Sequence, residues 1–136
     1  MFTTYMDFNG NGKEALALYH KAFGGEIVRQ LSYKDMPPNP DFPVLPHQEN
    51  WLLNGELEIN GARLLMSDSE NYHLGNNMKI NITENEQRLK EIWDVLKDGA
   101  TNLFELTPTF FSPLHGGLTD KFGVRWLFTA PVEEDR

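Results

Sequence analysis

The chain contains no cysteine. That excludes disulfides, thiolate nucleophiles and zinc–thiolate centres, and it fits a cytoplasmic protein. No run reaches the roughly 18 apolar residues of a membrane span, so no membrane partner is expected. No charged segment followed by an apolar one opens the chain, which argues against a secretory signal. Basic residues are scarce: 12 Lys and Arg stand against 20 Asp and Glu, for a net charge of −8. A nucleic-acid backbone would be repelled by such a surface, and no Lys/Arg stripe offsets it, so nucleic acid is not expected as a partner. The acidic balance favours solubility and a cationic or neutral ligand. The glycine-rich turn Asn9 to Gly12 lacks the G-x-G-x-x-G spacing of a nucleotide loop. The four histidines, His20, His47, His73 and His115, show no metal-ligand spacing.

What is present is a repeated unit. Met6 and Phe8 alternate with Tyr5, Asp7 and Asn9, the period-2 pattern of a strand with one apolar face. Asn9-Gly10-Asn11-Gly12 favours a turn. Ala15, Leu18, Tyr19, Ala22 and Phe23 then recur at helical spacing, and Gly24-Gly25 supplies a stop. The same order returns from Lys79 to Gly99: Ile80 and Ile82 alternate, Leu89, Ile92, Trp93 and Leu96 form the helical stripe, and Gly99 ends it. A shift of 74 positions superimposes Met6 on Ile80, Tyr19 on Trp93 and Gly25 on Gly99.

The remaining segments extend the pattern. Glu26 to Tyr33 reads as a strand. Lys34 to Asn50 carries five prolines, which exclude helix and central strand. A loop of that length is a lid, a binding loop, a surface excursion or a dimer arm. Its Phe42, Val44 and Leu45, with Trp51, imply that it packs on something. Trp51 to Ile59 reads as a strand with Leu53, Leu57 and Ile59 on one face and Leu52, Asn54, Glu56 and Glu58 on the other. Asn60-Gly61 signals a hairpin, and Ala62 to Ser67 returns. Asp68 to Asn76 reads as a polar connection.

In the second half, strands are expected at Thr101–Thr107, Leu114–Thr119 and Val124–Ala130, with a turn at Asp120–Gly123. Gly61 corresponds to Gly123, an offset of 62, so the first half carries 12 more residues, and the proline loop is their natural place. The expected architecture is α+β: two βαβββ modules form a curved eight-stranded mixed sheet around a cleft, with the helices outside. Residues 1–136 are read as one domain, with half-repeats at about 1–70 and 76–130. The acidic tail 131–136 is expected to fray.

FNGNGKEALALYHKAFGGEI, ELEINGARLLMSDS and TDKFGVRWLF, in that order and spacing, resemble the PhnB-like branch of the glyoxalase/bleomycin-resistance superfamily, or vicinal oxygen chelate proteins. Some of its members carry the label 3-demethylubiquinone-9 3-methyltransferase. The resemblance implies paired modules, a homodimer and a small-molecule cleft. The superfamily includes metal-dependent lyases, isomerases and dioxygenases as well as antibiotic-binding proteins without enzymatic activity. The metal-ligand positions it implies fall near Thr3, Leu65, Asn77 and Leu127. Leucines cannot ligate a first-row metal, so no metal and no cofactor are expected. Asn54 stands where relatives often show His, and Phe111 where they often show Trp.

If apolar strand positions face the helices, the alternate ones face the cleft. That nominates Tyr5, Asp7, Asn54, Glu56, Arg63, Asn77, Lys79, Asn81 and Arg125 for ligand binding, with Phe111 stacking on a planar group. Asp7, Glu56 and His115 are the acid/base candidates. Strand alternation leaves His115 facing either the cleft or the helices. The cations and carboxylates either orient a substrate or pair with one another. Three functions remain open: metal-independent binding of a small organic molecule, a small-molecule lyase, isomerase or transferase, and a dimeric fold without a ligand.

Overall fold

In the computed structural model, which describes residues 1–132, β1 (Thr4–Phe8) buries Met6 and Phe8 and exposes Tyr5. The chain turns through residues 9–11 into α1 (Gly12–Phe23). The buried side of α1 is Gly12, Ala15, Leu16, Tyr19 and Ala22. Leu16 thus takes the core place that the sequence pattern assigned to Leu18, which is half-buried. The reason is that α1 lies across β3 (Leu52–Ile59) and β4 (Ala62–Asp68), where Leu16 fills the space beside Gly55 and Met66. With β2 (Glu26–Ser32) these strands form a sheet in the order β1-β4-β3-β2, with β1 and β4 parallel and the other pairs antiparallel. Asn60 and Gly61 turn the β3–β4 hairpin with φ of 49° and 86°, both in the left-handed region that a two-residue hairpin turn needs.

The second module repeats the plan. β5 (Ile80–Thr83), α2 (Glu86–Leu96), β6 (Thr101–Thr107), β7 (His115–Thr119) and β8 (Arg125–Thr129) give the sheet order β5-β8-β7-β6, again with a parallel first pair. Asn85 caps α2 by accepting from the Arg88 N–H at 2.8 Å. The stripe of Leu89, Ile92, Trp93 and Leu96 is buried as the spacing predicts, with Trp93 edge-on to Phe128 of β8 at 5.2 Å. The structure is α+β with two βαβββ modules, and its eight strands fall in two four-stranded sheets. The chain divides between His73 and Leu74 into two compact units, one per module. Glu133 to Arg136, most of the acidic tail, lie outside the described residues.

Two expectations about the first module need correction. Leu52 is fully buried, whereas Leu53 is half-buried, because the pairing of β2 with β3 shifts register between Leu31 and Ser32. Asp68 is not part of a solvated connection. It ends β4 and is buried, with Oδ1 accepting from the Gly10 N–H at 2.7 Å and the Gly12 N–H at 2.9 Å, and Oδ2 from the Leu52 N–H at 2.7 Å. One carboxylate thereby ties the start of α1, the start of β3 and the end of β4. A Cβ on Gly12 would stand 3.0 Å from both Asp68 oxygens, so glycine is what lets the helix start this close.

The proline loop is anchored at both ends. Short 3₁₀ turns at Tyr33–Asp35 and Pro46–Gln48 flank it, and Tyr33 packs on Phe42 at 6.3 Å and edge-on to Trp51 at 5.8 Å. The Tyr33 hydroxyl donates to the Asp68 carbonyl at 2.6 Å. Burial, and then the negative Asp68 side chain, pushes the phenol above its usual range. The loop therefore packs on its own module, as its apolar residues imply, while Phe42 and Leu45 remain substantially exposed.

Candidate functional site

Each helix covers one face of its sheet, and the nominated strand residues lie on the opposite faces, while Asn77 and Lys79 precede β5 and Phe111 precedes β7. In the first module Tyr5 lies beside Leu65, and Leu65 beside Glu56; Asp7 lies beside Ser67. The Tyr5 hydroxyl donates to Ser67 Oγ at 2.9 Å. Arg63 is committed to two carboxylates, Glu56 at 2.7 Å and Glu58 at 3.0 Å, so of the two roles open to it the ion pair is the one formed. Asn54 is half-buried, opposite Leu31, with Oδ1 buried and without a hydrogen-bond partner.

In the second module the helix-free face holds Asn81, His115 and Arg125. The Thr129 hydroxyl donates to Asn81 Oδ1 at 2.9 Å, and the Asn81 amide donates to Thr83 Oγ1 at 3.0 Å. His115 Nδ1 lies 3.3 Å from the same Thr129 oxygen. A threonine hydroxyl has one proton, and here Asn81 takes it. Toward His115 the oxygen then accepts, which places a ring proton on Nδ1. Phe111 packs edge-on to the His115 ring at 4.9 Å, and Phe110 on Phe111 at 5.3 Å. His115 thus faces away from α2, which resolves the two orientations that alternation left open. Asn77 is exposed in the segment before β5.

Two nominated cations meet at a cavity. A concavity of about 520 Å³ lies within the second module, bounded by the segment before β5 and by β6, β7 and β8. Lys79 and Arg125 line it together with Asn76, Asn102 and Phe104, and among the described residues no acidic one does. Arg125 Nη1 donates to the Asn76 carbonyl. Lys79 Nζ sits 5.8 Å from the centre of the Phe104 ring, in cation–π range. Sequence reasoning found the two cations and missed Asn102 and Phe104. Between Thr101↔Thr119 and Phe104↔Gly117 the pairing of β6 with β7 shifts register, and Asn102 takes φ 51°. The extra residue leaves Leu103 and Phe104 exposed at the cavity. An asparagine early in a strand, where it is a poor β-former, was the available signal. His115 lies two residues before Gly117 on β7, about 7 Å along the strand from the cavity wall.

The paired βαβββ fold is similar to that of the glyoxalase/bleomycin-resistance superfamily. Its neighbours include PhnB-like and fosfomycin-resistance proteins. Protein YjdN of Escherichia coli K12 is 24% identical over 139 residues, covering 96% of this chain and 95% of that protein. The crystal structure of PA1353 from Pseudomonas aeruginosa matches with a TM-score of 0.84 at 25% identity, over 96% of this chain and 97% of that one. A Bacillus cereus structure, named as a PhnB protein and a candidate 3-demethylubiquinone-9 3-methyltransferase, matches with a TM-score of 0.77 at 25% identity, over 95% and 98%. The fosfomycin resistance protein FosX of Listeria monocytogenes shares the fold at 11% identity, with a TM-score of 0.67 over 100% and 96%. No family model matches the chain.

One FosX structure holds Mn(II). The donor set here does not fit such an ion. Among the described residues no three His, Asp or Glu side chains converge, and the positions Thr3, Leu65, Asn77 and Leu127 offer no carboxylate or imidazole.

Proposed function

We propose that this chain is a PhnB-like protein that binds a small organic molecule without a resident metal. The second module's cavity carries the reading. Its volume falls in the few-hundred-to-thousand Å³ range of ligand pockets, and it combines an exposed aromatic wall with a few convergent polar groups. The loop cavity of about 490 Å³ in the first module is lined mostly by proline and other apolar residues and offers fewer orienting groups. The test is a fragment-library titration of chelator-treated, ¹⁵N-labelled protein. Amide shifts are expected at Asn102 to Phe104, Gly117 and Thr119 without added metal. Shifts confined elsewhere, or appearing only when a divalent metal is restored, would count against it.

A second reading, a small-molecule lyase, isomerase or transferase, draws on His115. With a ring proton on Nδ1 toward Thr129, Nε2 is the nitrogen that could act as a general base, two residues along β7 from the cavity. Long-range ¹H–¹⁵N spectra at high pH should show the Nδ1–H tautomer. An Nε2–H tautomer would remove this support. The methyltransferase label gains none from the sequence, because the chain has no nucleotide-loop spacing. The chain is further proposed to act as a homodimer in the cytoplasm. The exposed aromatic residues Phe104, Phe110 and Phe111 support self-association. No helix among the described residues is long and apolar enough to cross a membrane.

A further inference from the structure

We infer that the molecule bound in the second module's cavity is anionic, a carboxylate, phosphate or phosphonate joined to an apolar or aromatic body; this rests on the cavity being the binding site. The charge of the cavity is opposite to that of the chain. Acidic residues outnumber basic ones 20 to 12 overall, yet among the described residues the cavity gathers Lys79 and Arg125 and no Asp or Glu. Neither cation is neutralised: among the described residues neither makes an ion pair within 4 Å, whereas Arg63, Arg88 and Lys97 all do. Each is instead oriented by an uncharged group. Arg125 gives one N–H to the Asn76 carbonyl, which fixes the guanidinium plane and leaves further N–H donors for a bidentate oxyanion. Lys79 is held over the Phe104 ring. Phe104 and Leu103, lifted by the irregularity at Asn102, offer an apolar wall next to both charges. A like-charged ligand would meet two uncompensated cations there, and an uncharged one would leave them unused. The acidic surface therefore misleads about the ligand, because the charge that selects it is local.

The experiment is calorimetry on the full chain at low ionic strength with four probes of one shape: phenylphosphonate, benzoate, benzyl alcohol and benzylamine. The two anions are expected to bind, benzyl alcohol at least ~10-fold more weakly, and benzylamine not measurably. Lys79→Gln and Arg125→Gln should each weaken phenylphosphonate binding by ~10-fold or more, in line with the loss of a charge-assisted contact. Lys90→Gln, an exposed cation on α2, should leave binding unchanged. Thermal melting shows whether each variant is folded, and if one is not, raising salt on the unaltered chain, which should weaken anion binding, replaces it. Benzyl alcohol or benzylamine binding as well as the anions, or full affinity in both cavity variants, overturns the anion assignment and leaves the cavity reading standing. Binding of none of the four sinks both.

Discussion

Asp68 stabilises the first module by accepting three backbone N–H groups at 2.7 to 2.9 Å while buried. An asparagine has the same shape but turns one acceptor into a donor that faces donors. Asp68→Asn should therefore cost about 1–3 kcal/mol in urea unfolding, the usual penalty for a buried polar group left unmatched. Glu70 works at the opposite extreme of exposure. His47 Nε2 and the Gln48 amide, each 2.9 Å from Glu70 Oε1, hold its carboxyl below the usual carboxylate range, with the His47 bond first. A carboxyl depressed in the folded state contributes stability above its unfolded pKa and loses it as pH falls through the lower, folded one. Glu70→Gln should melt below the unaltered protein at pH 7, and the gap should close as pH drops below about 4.5. A gap that persists at lower pH would assign the effect to packing. Neither role was legible in the sequence, where both residues sit in what reads as a polar connector. Asp68 is fixed by three N–H groups from residues 16 to 58 positions away, and no local pattern records that convergence.

At the scale of the strand and helix, most of the fold could be read directly, because period-2 and period-3.6 patterns are local properties of the chain. The stripe of α2, the hairpin at Asn60-Gly61 and the alternation of β1 fall where spacing puts them. The irregularities could not be read, since a register shift depends on the partner strand. One such shift moves Leu52 inward in place of Leu53, and another sets Asn102 at φ 51° in the cavity wall. A left-handed backbone costs a β-branched residue about 1–2 kcal/mol, and glycine nothing comparable. Asn102→Val should lower unfolding free energy by about that amount, and Asn102→Gly should stay close to the unaltered protein. Equal losses in both would mean that the Asn102 side chain, rather than its backbone, carries the stability. The same shift explains why Lys79 and Arg125 were found by alternation while Phe104, displaced by it, was not.

For the whole molecule, the duplication is visible as one strand order written twice, β1-β4-β3-β2 and β5-β8-β7-β6. The proposed homodimer makes a direct prediction: light scattering on the purified chain should give about twice its 15.6 kDa mass, with a thermal midpoint that rises with protein concentration. A concentration-independent midpoint with a mass near 15.6 kDa would overturn the homodimer and leave the exposed Phe104 to serve the ligand alone.

The parallel pairing of the first strand with the fourth, Met6 beside Met66, sets a timetable for synthesis. While the ribosome is still making the proline loop, β1 has no neighbour in its sheet, and the apolar side of α1 has only β1 to pack on, through Tyr19 and Phe8. Only when Asp68 leaves the exit tunnel does the amino-terminal half gain both its closing strand and its clasp. It can then close before the carboxy-terminal half is complete, and that half must wait in turn for Thr129 to emerge before β8 can complete the second sheet.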